Sequence, residues 1–117
     1  MADPRPTIST HVLDLELGVP AAGMPVALFR LEQDGRPELL TEMVTDADGR
    51  VRSLLHTELE TGEYQLVFDL AAYAATLDRD ADFFENVAIG IRVDEAERSY
   101  HVPLLLSPFG VSTYRGT

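Results

Sequence analysis

The most constraining feature of this sequence is the alternation of side chains in one segment near its end, followed at once by turn residues. From Tyr100 to Leu106, every second residue is apolar or aromatic, and side chains of a β-strand alternate between two faces. The opposite face carries His101 and lacks the character of a core. Residues 107–110, Ser-Pro-Phe-Gly, favour a turn because proline fixes φ and glycine allows a positive φ. The pattern predicts a strand, a turn and a short second strand over 111–114.

The rest of the chain contains more short alternating segments, separated by turns rich in glycine, proline or aspartate. The predicted strands are 8–17, 26–31, 39–45, 64–69 and 84–93, with a shorter strand over 51–55. The alanine-rich, uncharged segment 70–77 is the one helical candidate. Seven to eight strands with regular turn spacing and one short helix predict an all-β fold, an antiparallel β-sandwich.

Length, charge and composition limit the classes of function. A chain of 117 residues is expected to form one domain over 7–117, after a disordered arm over 1–6 that contains two prolines. The net charge of −11 argues against binding to nucleic acid or anionic membranes. There is no cysteine, which excludes disulfides and thiolate chemistry. No apolar signal segment or membrane span is recognisable, so a cytoplasmic protein is expected.

The residue types suited to catalysis are few, and their positions alone do not decide their roles. His101 lies on the non-core face of its predicted strand, whereas His11 lies on a face otherwise occupied by leucines. Histidines in such positions are more often structural, and an arginine after a glycine turn, like Arg50, is more often simply exposed. The histidines lack His-x-His or His-x-x-x-His spacing, so no metal site and no cofactor are expected.

Three blocks of the sequence carry a resemblance to a known family. Residues 100–108, Tyr-His-Val-Pro-Leu-Leu-Leu-Ser-Pro, followed by Ser-Thr-Tyr-Arg-Gly-Thr over 112–117, resemble the C-terminal signature of the 5-hydroxyisourate hydrolases, transthyretin-like enzymes of urate breakdown. Residues 9–14, Ser-Thr-His-Val-Leu-Asp, and 48–50, Asp-Gly-Arg, resemble the other two blocks of that family in the family order. The chain ends in Thr117 where the family usually has serine.

The resemblance implies a transthyretin-like sandwich that assembles as a homotetramer, a dimer of dimers, with the site between dimers. It implies a catalytic set and a substrate-binding tail, which match respectively His11, Arg50 and His101, and Tyr114, Arg115, Gly116 and Thr117. The implied reaction is the metal-independent hydrolysis of 5-hydroxyisourate, a small-molecule substrate, to 2-oxo-4-hydroxy-4-carboxy-5-ureidoimidazoline in purine degradation. General acid–base catalysis would serve it, and the sequence leaves open which histidine is the base.

Two functions from other classes are also consistent with a small sandwich. One is a non-catalytic carrier that binds a small molecule in the same inter-dimer channel. The two imidazoles beside a guanidinium argue against it, because a carrier of apolar hormones does not need them. The other is a sandwich domain for protein contacts, for which a monomer of 12.9 kDa rather than a tetramer is expected in solution.

Overall fold

The fold consists of two β-sheets and one short helix within residues 5–116, the part of the chain that the computed structural model describes. Residues 1–4 of the predicted arm and the predicted substrate-binding residue Thr117 lie outside the described residues. In chain order the elements are β1 (Ile8–Asp14), β2 (Val19–Pro20), β3 (Pro25–Leu31), β4 (Pro37–Val44), β5 (Arg50–Val51), β6 (Gly62–Asp69), α1 (Leu70–Thr76), β7 (Asn86–Val93), β8 (Tyr100–Ser107) and β9 (Gly110–Thr113).

The first sheet has the order β2-β1-β8-β9, and β5 also pairs with β1. Strands β1 and β8 run parallel, with Ile8 opposite Tyr100 and Asp14 opposite Leu106, whereas the remaining pairs of this sheet are antiparallel. The predicted β-sandwich is confirmed, and among the strands of residues 5–116 this parallel pair is the one departure from an antiparallel arrangement. Alternation of side chains fixes which face is buried, but it carries no information about the direction of the neighbouring strand.

The second sheet is antiparallel, with the order β4-β3-β6-β7, and the core lies between the two sheets. The burial of β1 alternates residue by residue along its whole length, which is the pattern expected for a strand with one face in the core. Among the residues with no more than about 2% of their surface exposed are Ile8, Val12, Leu28, Tyr64, Leu66, Phe68 and Leu104. Each such side chain contributes roughly 1.5–3 kcal/mol through the removal of apolar surface from water.

Strand β1 ends at Asp14, although the alternation predicted a strand as far as residue 17. The side-chain carboxylate of Asp14 accepts from the backbone N–H of Leu17 at 3.0 Å. The backbone carbonyl of Asp14 accepts from the N–H of Gly18 at 2.8 Å. Gly18 has a φ of 72°, a conformation that glycine adopts readily. These contacts form a turn, so Leu15 and Leu17 leave the sheet and are about half exposed.

Helix α1 lies in the connection between β6 and the edge strand β7 of the second sheet, and it confirms the predicted helix over 70–77 to within one residue. The side chain of Asp69 caps it by accepting from Ala72 N–H at 2.9 Å, which satisfies one of the free donors of the first turn. Leu70 and Tyr73 anchor the helix in the core. In the part of the chain that the structure describes, no helix has the length and apolar character needed to cross a membrane.

Candidate active site

The strand register places the three predicted catalytic residues on one face of the first sheet. His11 of β1 is the antiparallel partner of Arg50 of β5, and directly paired residues have side chains on the same face. Ser9, two residues before His11, is the partner of His101 of β8. Because residues i and i+2 share a face, the sheet brings His11, Arg50 and His101 together on the side away from the core. All three side chains are half-buried.

His101 is held through one ring nitrogen. Its Nδ1 lies 2.8 Å from the hydroxyl oxygen of Ser9, a hydrogen-bonding distance. Burial of the imidazole lowers the pKa of His101 below its ordinary value of 6.5, and the positive charges of Arg50 and His11 lower it further. A lowered pKa keeps the imidazole neutral at physiological pH, which is the form able to accept a proton.

A tight turn positions Arg50. The Asp46 carboxylate accepts from the backbone N–H groups of Asp48 at 2.9 Å and Arg50 at 3.0 Å. The hydrogen bond from Arg50 is the largest cause of the lowered pKa of Asp46, so the carboxylate stays ionised and keeps holding the turn. Aspartate at the start of a turn commonly bonds the backbone that follows it, and here the result is a defined exit direction for Arg50.

Gly49 allows this turn to press against strand β1. Its φ is 75°, and its carbonyl oxygen accepts from Val12 N–H at 2.7 Å. A Cβ atom at position 49 would lie 2.5 Å from the carbonyl oxygen of Val12 and 3.1 Å from the backbone nitrogen of Ala21. The position therefore needs glycine both for its conformation and for its space, and this close approach is what puts Arg50 beside His11.

The C-terminal tail returns to the strand that carries His101. The backbone N–H of Gly116 donates to the carbonyl oxygen of His101 at 2.8 Å, forming an isolated antiparallel bridge. The guanidinium of Arg115 lies over the ring of Tyr100, 4.4 Å from its centroid, within the range of a cation–π interaction. Tyr114 is 58% exposed. Three of the four predicted substrate-binding residues, Tyr114, Arg115 and Gly116, thus lie along the strand that carries His101, with Arg115 on the side of Tyr100.

Two hollows flank His101. One has a volume of about 240 Å³ and lies beside Arg50 on the sheet face; its lining residues are Ser9, Thr10, Arg50, Val51, Arg52 and His101. The other has a volume of about 170 Å³ and lies between the edges of the two sheets; its lining includes Ile89, Ile91, Arg92, Tyr100, His101, Tyr114 and Arg115. The first hollow is the candidate active-site cleft, because both a basic imidazole and a guanidinium border it.

The cations of this region differ from the other arginines of the chain. Arg30, Arg36, Arg79, Arg92 and Arg98 each lie within 4 Å of a carboxylate. Within residues 5–116, by contrast, Arg50, Arg52 and Arg115 have no salt-bridge partner. In a chain with a net charge of −11, the guanidinium groups of Arg50 and Arg52 concentrate positive charge at the candidate cleft, where it favours an anionic or electron-rich ligand.

Sequence reasoning missed two residues of the cleft, Ser9 and Arg52. Ser9 lies two residues before His11 and so shares its predicted face, but only the β1–β8 register brings it to His101. Asp14, three residues after His11 and therefore on the opposite face of β1, faces the core, where its carboxylate accepts from the hydroxyl of Tyr73 at 2.7 Å. Between residues 5 and 116, no three histidine, aspartate or glutamate side chains are grouped as metal ligands would be.

The chain is similar in sequence to one known protein family and in fold to solved structures. Residues 8–116 match the family model described as the HIUase/Transthyretin family. The chain is 44% identical over 115 residues to 5-hydroxyisourate hydrolase 2 of Rhizobium meliloti, with 94% of this chain and 95% of that protein covered. Among solved structures, 5-hydroxyisourate hydrolase of Klebsiella pneumoniae has a TM-score of 0.82 at 37% identity, covering 96% of this chain and 99% of that one.

A second solved structure has the same fold with a different ligand. Sea bream transthyretin in complex with thyroxine has a TM-score of 0.85 at 28% identity, and 94% of each chain is covered. The backbone therefore resembles a hydrolase and a thyroxine-binding protein about equally well. The residues on the sheet face, rather than the fold, have to distinguish the two classes.

Proposed function

This chain belongs to the HIUase/Transthyretin family, and we propose that it is a hydrolase that opens the ring of 5-hydroxyisourate in urate degradation. The observation that carries the proposal is the arrangement of His11, Arg50 and His101 on one face of the first sheet. The identities support it as well. 5-Hydroxyisourate hydrolase 2 of Rhizobium meliloti is 44% identical to this chain, whereas the transthyretin solved with thyroxine is 28% identical.

The proposed reaction adds one water molecule across an amide bond. The oxygen of water forms a bond to a ring carbonyl carbon, and the C–N bond of that amide then breaks. One proton of water passes to a base, and the departing ring nitrogen takes a proton from an acid, giving 2-oxo-4-hydroxy-4-carboxy-5-ureidoimidazoline. The reaction thus needs a base, a positive group beside the developing oxyanion and a proton donor, and no step requires a metal ion.

His101 is the base in this proposal. Its Nδ1 is engaged by Ser9, so Nε2 is the nitrogen left to take a proton from water. Its lowered pKa keeps it in the neutral form that this task needs. His11, on the adjacent strand and the same face, orients the water and returns a proton to the leaving nitrogen.

Arginine side chains bind the substrate and stabilise the negative charge that develops on it. Arg50 borders the cleft together with His101, and its planar group can donate two parallel hydrogen bonds to an electron-rich ring edge. Arg115, Tyr114 and Gly116 close the other side of His101, and Thr117 follows them in the proposed substrate-binding tail. Preorganised donors of this kind are worth about 3–4 kcal/mol in the transition state.

We further infer a cytoplasmic homotetramer, built as a dimer of dimers from one hydrolase domain over 7–117. In the isolated chain the proposed catalytic side chains are only half-buried, and Leu15 and Leu17, which directly follow β1, form an apolar strip that is about half exposed. A second dimer placed over this face would cover the strip and exclude water from the cleft. Sedimentation of a particle near four times 12.9 kDa would support this assembly, and a monomer would contradict it.

The direct test is the ultraviolet decay of freshly generated 5-hydroxyisourate with and without the protein. We expect strong acceleration that withstands a metal chelator and is lost in Arg50→Ala and His101→Ala, because these remove the charge and the base. His56→Ala is the matched control, since His56 is exposed and lies outside the site. Decay at the spontaneous rate with folded, tetrameric protein would overturn the proposal and favour the carrier instead.

A further inference from the structure

The imidazole of His101 is enclosed on two of its edges. On the Nδ1 edge lies the hydroxyl of Ser9, 2.8 Å away. On the Cδ2 edge lies Gly116, so close that a Cβ atom there would be 2.5 Å from Cδ2. Nδ1 and Cδ2 are the two ring atoms bonded to Cγ, so these contacts hold the ring on both sides near its attachment to the main chain. The tip with Nε2 is left to face a ligand.

The hydroxyl of Ser9 serves this ring alone in the described part of the chain. It makes no other hydrogen bond within residues 5–116. Neighbouring hydroxyls bond elsewhere: Thr10 of the same strand donates to the carbonyl of Val102 at 2.6 Å, and the hydroxyl of Thr7, just before the strand, pairs with that of Ser53. Ser9 is brought to His101 because the two are register partners in the parallel β1–β8 pair.

We propose that Ser9 is a positioning residue for His101: its hydroxyl accepts the Nδ1–H, which holds the lone pair on Nε2 and the ring in a fixed orientation. The inference rests on the proposed hydrolase function for its catalytic consequence. A histidine acts as a base at Nε2 only in the tautomer that carries its proton on Nδ1. Once Nε2 has taken a proton from water, the same hydroxyl continues to accept from Nδ1–H of the imidazolium.

A neutral hydroxyl suits this position better than a carboxylate. A carboxylate on Nδ1 would stabilise the imidazolium and raise the pKa of His101, against the effects of burial and of Arg50. Asp14, the carboxylate of the same sequence block, is instead turned into the core against Tyr73. Ser9 thereby orients the ring while the base keeps its low pKa.

The charged groups around His101 fix the sign of the expected pH effect. His11 faces it from β1, and the guanidinium groups that line the two hollows beside it are those of Arg50, Arg52, Arg92 and Arg115. A guanidinium group cannot accept a hydrogen bond from a protonated ring, and His11 makes no hydrogen bond to His101 within residues 5–116. Removal of the Ser9 hydroxyl deprives the imidazolium of its acceptor, so the pKa of His101 must fall and the acid limb of kcat/KM must move to lower pH.

The test combines nitrogen-15 NMR of His101 with kinetics on Ser9→Ala, Ser9→Thr and a control. Ser99→Ala is the matched control, because the Ser99 hydroxyl also bridges the β1 and β8 segments, accepting from Thr7 N–H at 3.0 Å, without touching His101. Ser9→Ala is expected to mix the tautomers of His101, lower kcat by about tenfold with little change in KM, and shift the acid limb downward. Ser9→Thr should restore the tautomer and most of kcat, and Ser99→Ala should alter none of these.

The two readouts separate this inference from the proposed function. If Ser9→Ala keeps the native tautomer of His101, the native acid limb of kcat/KM and the native kcat, the positioning role is overturned. A mixed tautomer in Ser9→Ala together with a native protein that does not accelerate 5-hydroxyisourate decay would uphold the contact to His101 and overturn the hydrolase proposal. If Ser9→Ala fails to fold, Ser9→Cys, similar in size but a poor acceptor, is measured in its place with the same expected outcomes.

Discussion

Gly116 donates its backbone N–H to the carbonyl oxygen of His101 at 2.8 Å, and a Cβ atom at position 116 would lie 2.5 Å from the imidazole Cδ2 of the same residue. The C-terminal tail is thus attached to the strand residue that we propose as the base. Any side chain at 116 has to displace either the tail or the ring, and both are parts of the proposed site.

Gly116→Ala is therefore expected to reduce kcat/KM by tenfold or more, because a misplaced ring or tail weakens the geometry on which proton transfer depends. The free energy of unfolding should change by less than about 1 kcal/mol, since the tail lies at the edge of the sheet. Steady-state kinetics and thermal melting measure the two effects. Gly90→Ala is the control, because its added Cβ meets nothing within 4 Å. Equal activity in the two variants would contradict the prediction.

Gly49→Ala is expected to destabilise the protein more than Gly35→Ala. Both glycines have positive φ, 75° and 84°, so an alanine costs each about 1–2 kcal/mol in backbone strain. Only at position 49 would the new Cβ also meet a backbone oxygen, that of Val12 at 2.5 Å, whereas at 35 it meets nothing within 4 Å. Denaturant unfolding measures the difference. Gly49→Ala should also impair turnover through Arg50, and equal stability losses would show that the close approach is unimportant.

Arg50→Gln is expected to move the acid limb of kcat/KM to higher pH. The charge of Arg50 helps to hold the pKa of His101 below 6.5, so removing that charge lets the pKa rise toward this value, and the neutral, active form is then lost at a higher pH. Arg50→Lys keeps the charge but not the planar fork. It should retain the native limb while losing turnover. An unshifted limb in Arg50→Gln would show that this charge does not act on the base.

Tyr73→Phe is expected to lower the free energy of unfolding by about 1–3 kcal/mol, because the buried Asp14 carboxylate loses a donor at 2.7 Å. Tyr64→Phe should cost less, since the Tyr64 hydroxyl donates to a neutral acceptor, the backbone carbonyl of Glu60, at 2.7 Å. Denaturant unfolding of the two variants at neutral pH gives the comparison. Equal losses would argue that the charge of Asp14 adds nothing.

The raised pKa of Tyr73 also predicts that the protein loses stability in alkali. Burial and the bond to Asp14 raise the pKa of Tyr73 in the folded protein above its ordinary value of 10. The unfolded chain therefore releases this proton first, so the stabilisation is complete below about pH 10 and declines as the pH rises above it. Tyr73→Phe should lack this part of the decline, and unfolding free energies measured between pH 8 and 11 would detect it.

The fold could be predicted from the sequence where the signal was local. The alternation from Tyr100 to Leu106 and the turn at 107–110 correspond to β8, its turn and β9. The predicted strand boundaries were wrong where a side chain ends the strand. The carboxylate of Asp14 accepts from the backbone N–H of Leu17 and begins a turn three residues before the apolar alternation stops. A hydrogen bond of this kind depends on the chain path after the strand, which periodicity does not contain.

For the candidate site, the sequence by itself supplied the residue types and their faces. His11, Arg50, His101 and the tail over 114–117 were implied by the resemblance of three sequence blocks, and the alternation placed His101 on the non-core face of its strand. Only the tertiary structure decided which of these side chains are in contact. The parallel pairing of β1 with β8 sets Ser9 against His101 across a separation of 92 residues, and the turn at Gly49 carries Arg50 to His11. Strand direction and register are set by packing of the whole sandwich, because a one-residue shift would leave every local propensity intact and still exchange core and solvent faces.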